Sequence, residues 1–153
     1  MKKNELLSIW ATIKGAKFGK LSGEAKVKYV QMFAKLSPAV KDFETYRDTI
    51  SEKLMSEHEG FQDKLQEAQK YEAWMKDNTL EKPKMTEDEY KDFIQVVIEY
   101  NKSVAAALNE EAEKEVDVKF DKLTTTEYGC FIDSNDFTTE QAAEIMRLLC
   151  EQG

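Results

Sequence analysis

FQDKLQEAQKYEAWMKDNTLEKPKMTEDEYKDFIQVVI, residues 61–98, decides the fold. Its first part carries Phe61, Leu65, Ala68, Tyr71 and Met75 at helical spacings of three and four, and its last part carries Tyr90, Phe93, Ile94, Val97 and Ile98 in the same way. Between them, Asn78 to Met85 contains Pro83 and no periodicity, so it reads as a turn. Thr86-Glu87-Asp88-Glu89 matches a capping box, with acids placed at the positive end of the helix it opens. A short link between two long apolar stripes makes antiparallel neighbours. Folding about residue 81 sets Val97 near Leu65 and Gln66, Val104 near Phe61, and Leu108 near Leu54, so that apolar positions meet apolar positions.

The upstream stripe extends far toward the N-terminus. Phe33, Val40, Arg47, Leu54, Phe61, Ala68 and Met75 fall on one position of a heptad, and Leu36, Phe43, Ile50, Glu57, Lys64 and Tyr71 on its partner. A seam over about six heptads predicts coiled-coil-like packing in one helix opened by Ser22. Glu57 and Lys64 are misfits, and Leu65 takes the place of Lys64. Pro38 either starts a new helix after Ser37 or kinks a continuous one. The unbroken phase across it favours a kink or a very tight junction.

The flanks supply a small head. Leu6, Ile9, Trp10 and Ile13 make one apolar face of a helix over about Asn4–Lys14, with Asn4 as its cap. Gly15 and Gly19 end it. After the helix that closes near Glu113, Val116, Val118 and Phe120 alternate with Asp117, Lys119 and Asp121, a strand pattern. A lone strand needs partners for its amides, so either Phe18–Leu21 or the same strand in a second copy pairs with it. Thr124 or Thr125 caps a short helix. Thr138-Thr139-Glu140-Gln141 opens a last one, with Ala142, Ile145, Met146, Leu148 and Leu149 on one side. The expectation is a mainly α single domain over 1–153. It is a long antiparallel helical hairpin (51–114), a head of N- and C-terminal helices (1–50 and 115–153) and one short β-strand.

Composition narrows the function classes. Charged residues make up 34% of 153 residues, with only 6 Gly and 2 Pro, which suits long amphipathic helices with solvated outer faces. Eight Phe, 6 Tyr and 2 Trp argue against disorder. The net charge of −8 makes direct nucleic-acid binding an unfavoured class. The charge is uneven. Residues 1–36 hold eight lysines against Glu5 and Glu24, a balance of +6, and residues 86–117 hold ten acids against three lysines, a balance of −7. That asymmetry permits end-to-end or self-complementary association, and so a homo-oligomer. No secretory leader or membrane-length apolar run is present, so no membrane partner is expected. Cys130 and Cys150 read as small buried residues in a reducing compartment, the host cytoplasm. Asn101-Lys102-Ser103 is a chance glycosylation match inside a helix.

The chain offers little for chemistry. His58 stands between Glu57 and Glu59, but adjacent helical positions point apart, so the three do not converge on one ion. Glu111 and Glu115 share a helix face, yet hydrated carboxylates at a helix end are the ordinary reading. Cys130 has no basic neighbour to activate it. Gly15-Ala16-Lys17-Phe18-Gly19-Lys20 lacks the phosphate-loop fingerprint and reads as a charged turn. No catalytic, cofactor-binding or metal residue is therefore assigned, no cofactor is expected, and the chain is not read as an enzyme. Trp74, Met75, Leu80 and Met85 flank the hairpin turn. They either pack together to close its end, the favoured reading, or form an apolar patch for a protein partner.

Two stretches carry a resemblance: Glu5-Leu-Leu-Ser-Ile-Trp-Ala-Thr-Ile-Lys-Gly through Lys20, and Glu115-Val-Asp-Val-Lys-Phe-Asp-Lys-Leu followed by Ser134-Asn-Asp-Phe. The layout resembles small phage- and prophage-encoded helical proteins. The resemblance implies a viral setting, in the host cell or the virion, and transfers no activity and no site residues. Two functions follow as expectations. One is a non-enzymatic interaction protein such as a phage accessory or assembly factor. The other is an acidic inhibitor of a host defence protein with a basic surface.

Overall fold

The computed structural model describes residues 1–152. The chain is mainly helical: α1 (Lys3–Ile13), α2 (Gly23–Ser56), α3 (Phe61–Lys76), α4 (Glu87–Ala112), α5 (Thr125–Asp133) and α6 (Thr139–Leu149). It forms two compact units, one of Met1–Thr45 with the chain from Glu111 onward, the other of Tyr46–Glu110. No described helix is long and apolar enough to cross a membrane.

The first unit is built on complementary stripes. Leu6, Ile9 and Ile13 of α1 are fully buried with Met32 and Leu36 of α2, Phe131 of α5, and Ile145 and Leu149 of α6. Met146, expected on the buried side of α6, is exposed, because Ile145, Leu148 and Leu149 already span the face that α6 buries. Trp10 stacks on Phe33 at 4.3 Å between ring centroids. The Tyr29 hydroxyl donates to the Ile13 carbonyl at 3.0 Å, and burial pushes its pKa up to about 12. At α1 the cap is Lys2, whose amide donates to Glu5 at 2.9 Å, so Asn4 lies inside the helix. Ser22 caps α2, accepting from the Ala25 amide at 3.2 Å. The helix then continues through Pro38, which is exposed.

Thr124 opens α5 through a reciprocal pair with Glu127 (3.2 Å and 2.8 Å), and Lys28 of α2 reaches both carboxylate oxygens of Glu127 at 3.1 and 2.9 Å. Burial alone would raise the Glu127 pKa. The Thr124 amide and Lys28 outweigh it and hold the carboxyl below its ordinary value. Thr124→Ala removes a side-chain acceptor from this junction. The expected loss is about 1 kcal/mol in urea unfolding, with Thr124→Ser retaining nearly all of it. An alanine variant as stable as the wild type would show that the cap contributes nothing.

The expected strand over Val116–Phe120 does not form. Among the described residues there is no β-strand, only two isolated bridges, Lys2 with Glu115 and Leu123 with Cys150. The two chain ends bond residues at and around the borders of the segment one at a time. Val116 donates to the Met1 carbonyl at 3.0 Å, Lys3 to Lys114 at 3.0 Å, and Leu123 and Leu149 are joined at 2.8 Å. The Phe18–Leu21 stretch instead closes a turn, Leu21 amide to Phe18 carbonyl at 3.2 Å. The alternation still has its meaning: Val116, Val118 and Phe120 pack on the core while Asp117, Lys119 and Asp121 are not part of it. Alternation records a chain with one side buried, and a ladder is a separate requirement.

In the second unit the heptad seam is interrupted. Helix α2 ends at Ser56 and α3 begins at Phe61, separated by a turn in which Gly60 adopts φ +70°. That left-handed conformation is inexpensive only for glycine. The misfit Glu57 falls inside this turn and Lys64 in the first turn of α3, and both are exposed. The register changes with it. Phe61 lies against Phe93 (5.4 Å) and Tyr100 (5.0 Å), and Val96 and Val97, not Val104, complete its cluster. The turn consumes residues without advancing the chain as a helix would. Nearer the link, Tyr71 stacks on Tyr90 at 4.5 Å, so α3 and α4 pack with opposite chain directions. The Tyr90 hydroxyl donates to Glu72 at 2.7 Å, and the Tyr100 hydroxyl to the Ser51 carbonyl at 3.2 Å. The Thr86 capping box forms as expected, the Glu89 amide donating to Thr86 at 3.2 Å.

Candidate partner-binding hollow

The second unit contains a hollow of about 640 Å³. Its floor is Phe61, Met85, Phe93 and Val96, and its rim carries Glu57, Glu59, Glu89 and Asp92 together with His58 and Lys64. The geometry follows from local structure. Glu89, Asp92 and Val96 are spaced by three and four residues on one face at the start of α4, and Met85 stands just before the helix. The turn before α3 brings Glu57, His58 and Glu59 to the same opening. The His58 ring lies 6.1 Å from that of Phe61. Glu89 also accepts from the Thr86 amide, which fixes its place at the head of α4.

Chemically the hollow combines an apolar interior with a negative rim. Four carboxylates against one lysine favour cationic groups, and the floor favours an apolar side chain between them. Among the described residues no group of three or more His, Cys, Asp or Glu side chains could hold a metal ion.

The four residues singled out at the hairpin tip are divided. Met85 is buried in the floor. Trp74 packs beside Tyr71 (6.0 Å), with the Lys82 ammonium 5.8 Å from its ring centre. Met75 and Leu80 are 60% and 48% exposed, so the tip does not close over them. Met75, Trp74 and Met85 border a second hollow of about 520 Å³ with Lys82 and Lys84, and Leu80 does not join it. The acidic rim was not singled out from the sequence. Its parts are separately visible there, Glu57 and Glu59 beside His58 and Glu89 and Asp92 in the acidic segment 86–117, but their convergence is not.

No family model, characterised protein or solved structure matches this chain.

The other expected features resolve into structure. Glu111 faces Lys114 at 2.7 Å and Lys3, and Glu115 pairs with the Met1 amino group at 3.1 Å. With Lys2 on Glu113 at 2.6 Å, these contacts tie the basic N-terminus to the acidic end of α4. Part of the charge asymmetry is thus neutralised within the first unit. Cys130 is half-buried and Cys150 buried, both as free thiols.

Hydrogen bonds from Lys114 and Lys3 hold the Glu111 carboxyl below its ordinary value, against the opposing effect of burial. A lowered folded-state pKa contributes stability above the unfolded value of about 4.5, and that stability is lost as pH falls through the folded value. Glu111→Gln should cost about 1–2 kcal/mol at pH 7 and flatten the acid limb of the stability profile. Urea unfolding at a series of pH values checks it, and an unchanged acid limb would remove Glu111 from the account.

Proposed function

We propose that this protein works by binding another protein and not by catalysis, with the acid-rimmed hollow of the second unit as its receptor surface. The observation that carries this reading is the convergence of four carboxylates around Phe61, Met85, Phe93 and Val96. Such a surface suits a basic segment that carries an apolar anchor, the arrangement by which helical grooves take peptides. The long antiparallel hairpin expected over 51–114 is part of this proposal: α3 and α4 are its two sides, and the hollow opens along them. The phage-like layout suggests an accessory or assembly factor in the host cell or virion. The acidic rim equally favours the second reading, an inhibitor that covers a basic surface on a host defence protein.

A photoreactive phenylalanine analogue placed at Lys64 on the rim tests the reading, with Glu140 of the first unit as control position. In cells expressing the gene in its native setting, one dominant covalent adduct is expected from position 64. It should be absent from position 140 and lost when Glu59→Lys and Asp92→Lys are added. Identical adduct patterns from the two positions would exclude the hollow as the binding surface.

A further inference from the structure

The first unit presents a surface of the opposite character. Phe18 is 38% exposed on the turn between α1 and α2, and Val27 and Val30 of α2 are 57% and 50% exposed. Phe18, Val30 and Lys14 border one shallow hollow of about 130 Å³. Lys17 and Lys20 flank Phe18 in the chain, and Lys26 is one helical turn before Val30. Among the described residues no carboxylate lies within ion-pair distance of Lys14, Lys17 or Lys26.

The turn that carries Phe18 is held in place. Asn135 accepts from the Lys17 amide and donates to the Lys17 carbonyl, both at 2.7 Å. The Lys20 ammonium donates to the Asp133 carbonyl at 2.9 Å, and the Phe18 ring rests on Tyr29 at 5.2 Å. A part-exposed aromatic ring among lysines is therefore ordered before any partner arrives, which lowers the entropic cost of binding.

We propose that the acid-rimmed hollow of one molecule receives the Phe18 turn of a second copy of this chain. The contact joins surfaces of separate molecules, and it rests on the reading of the hollow as a receptor surface. Charge complementarity selects this occupant: Lys14, Lys17 and Lys26 meet Glu57, Glu59, Glu89 and Asp92, while Phe18 faces the floor of Phe61, Met85, Phe93 and Val96. Opposed potentials fix the partner and its register, and a central aromatic anchor supplies the larger share of the affinity. Because the two surfaces differ, the contact is heterologous. It closes into a small ring or continues into an open chain according to the rotation between copies.

A charge-swap series on the full chain tests this by sedimentation velocity. Wild-type protein is expected to associate with rising concentration over the micromolar range. Glu59→Lys with Asp92→Lys, and separately Lys14→Glu with Lys17→Glu, should each weaken association about tenfold or more. An equimolar mixture of the two variants should associate again, since the unaltered rim of one meets the unaltered turn of the other, and the two altered surfaces are again opposite in charge. Phe18→Ser should weaken association about tenfold, and because the ring also rests on Tyr29, Val27→Ser, at a more exposed position, serves as the control that leaves association unchanged. A wild type that stays monomeric throughout, or a mixture that does not recover, overturns the inference. If the position-64 adduct to another protein then persists, the binding function survives and only the identity of the occupant is lost. If the adduct is lost as well, both readings fall.

Discussion

Replacing Phe131 with alanine is expected to lower the unfolding free energy of the first unit by about 3–5 kcal/mol, the range seen when a buried aromatic side chain is truncated. Phe131 is fully buried. Its ring lies 5.0 Å from Tyr29 and 5.5 Å from Phe137, so it links α2, α5 and the segment leading into α6. Removing it forfeits the transfer of a large apolar surface and leaves a void whose walls relax only in part, because the Tyr29 hydroxyl is tied to Ile13 and the Tyr128 hydroxyl to Ala142. The whole stability of a domain is usually about 5–15 kcal/mol, so the variant should unfold at a much lower urea midpoint by far-UV circular dichroism. Phe131→Leu, which refills most of the space, should recover more than half of the loss. A loss under about 1 kcal/mol for the alanine variant would mean that the Phe131 site collapses freely and is not the centre of the core.

Local chemistry made several elements legible in the sequence. Capping boxes act over three residues, so Thr86 with Glu89 and Thr138 with Gln141 could be read directly, and both form. The stripe Leu6, Ile9, Ile13 announced its own burial. What was hidden depended on partners far away in the chain or on a single backbone angle. The break at Gly60 turns on one left-handed residue, and the heptad frame on either side of it concealed the interruption. The Val116–Phe120 alternation gave the buried side correctly but not the absence of a ladder, because the pairing of the chain here is decided by the two distant chain ends, which bond only at its borders. The hollow has the same character. Met85 could be singled out from its own position beside the turn, whereas the rim assembles Glu57 and Glu59 with Glu89 and Asp92, some thirty positions apart. The Phe18 turn read as a charged loop because its clamp, Asn135, lies 118 positions downstream.

The division of roles between the two units sharpens what the Phe61 side chain is expected to do. In the second unit the buried cluster is small: Phe61, Ala68, Met85 and Phe93 carry it, with half-buried neighbours such as Leu65 and Val97 around them. Phe61 sits at the first position of α3, directly after Gly60, and its ring touches both Phe93 and Tyr100. It therefore joins the start of α3 to two positions about two turns apart on α4. Phe61→Ala should cost about 3–4 kcal/mol within this unit. Read by hydrogen exchange, that corresponds to roughly a hundredfold to several-hundredfold loss of protection for the amides of α3 and of α4 near Phe93. Amides of α1, α5 and α6 should keep theirs, because their protection rests on the Phe131 cluster. The same variant should abolish adducts from position 64, since the floor of the hollow is gone. Gly60→Ala separates the two causes: it strains the left-handed turn without removing the ring, so it should lower protection at the start of α3 while sparing the contacts between Tyr71 and Tyr90. If Phe61→Ala left α3 protected as in the wild type, the second unit would owe its stability to the tyrosine stack near the link, and the hollow would be a surface feature with no bearing on the fold.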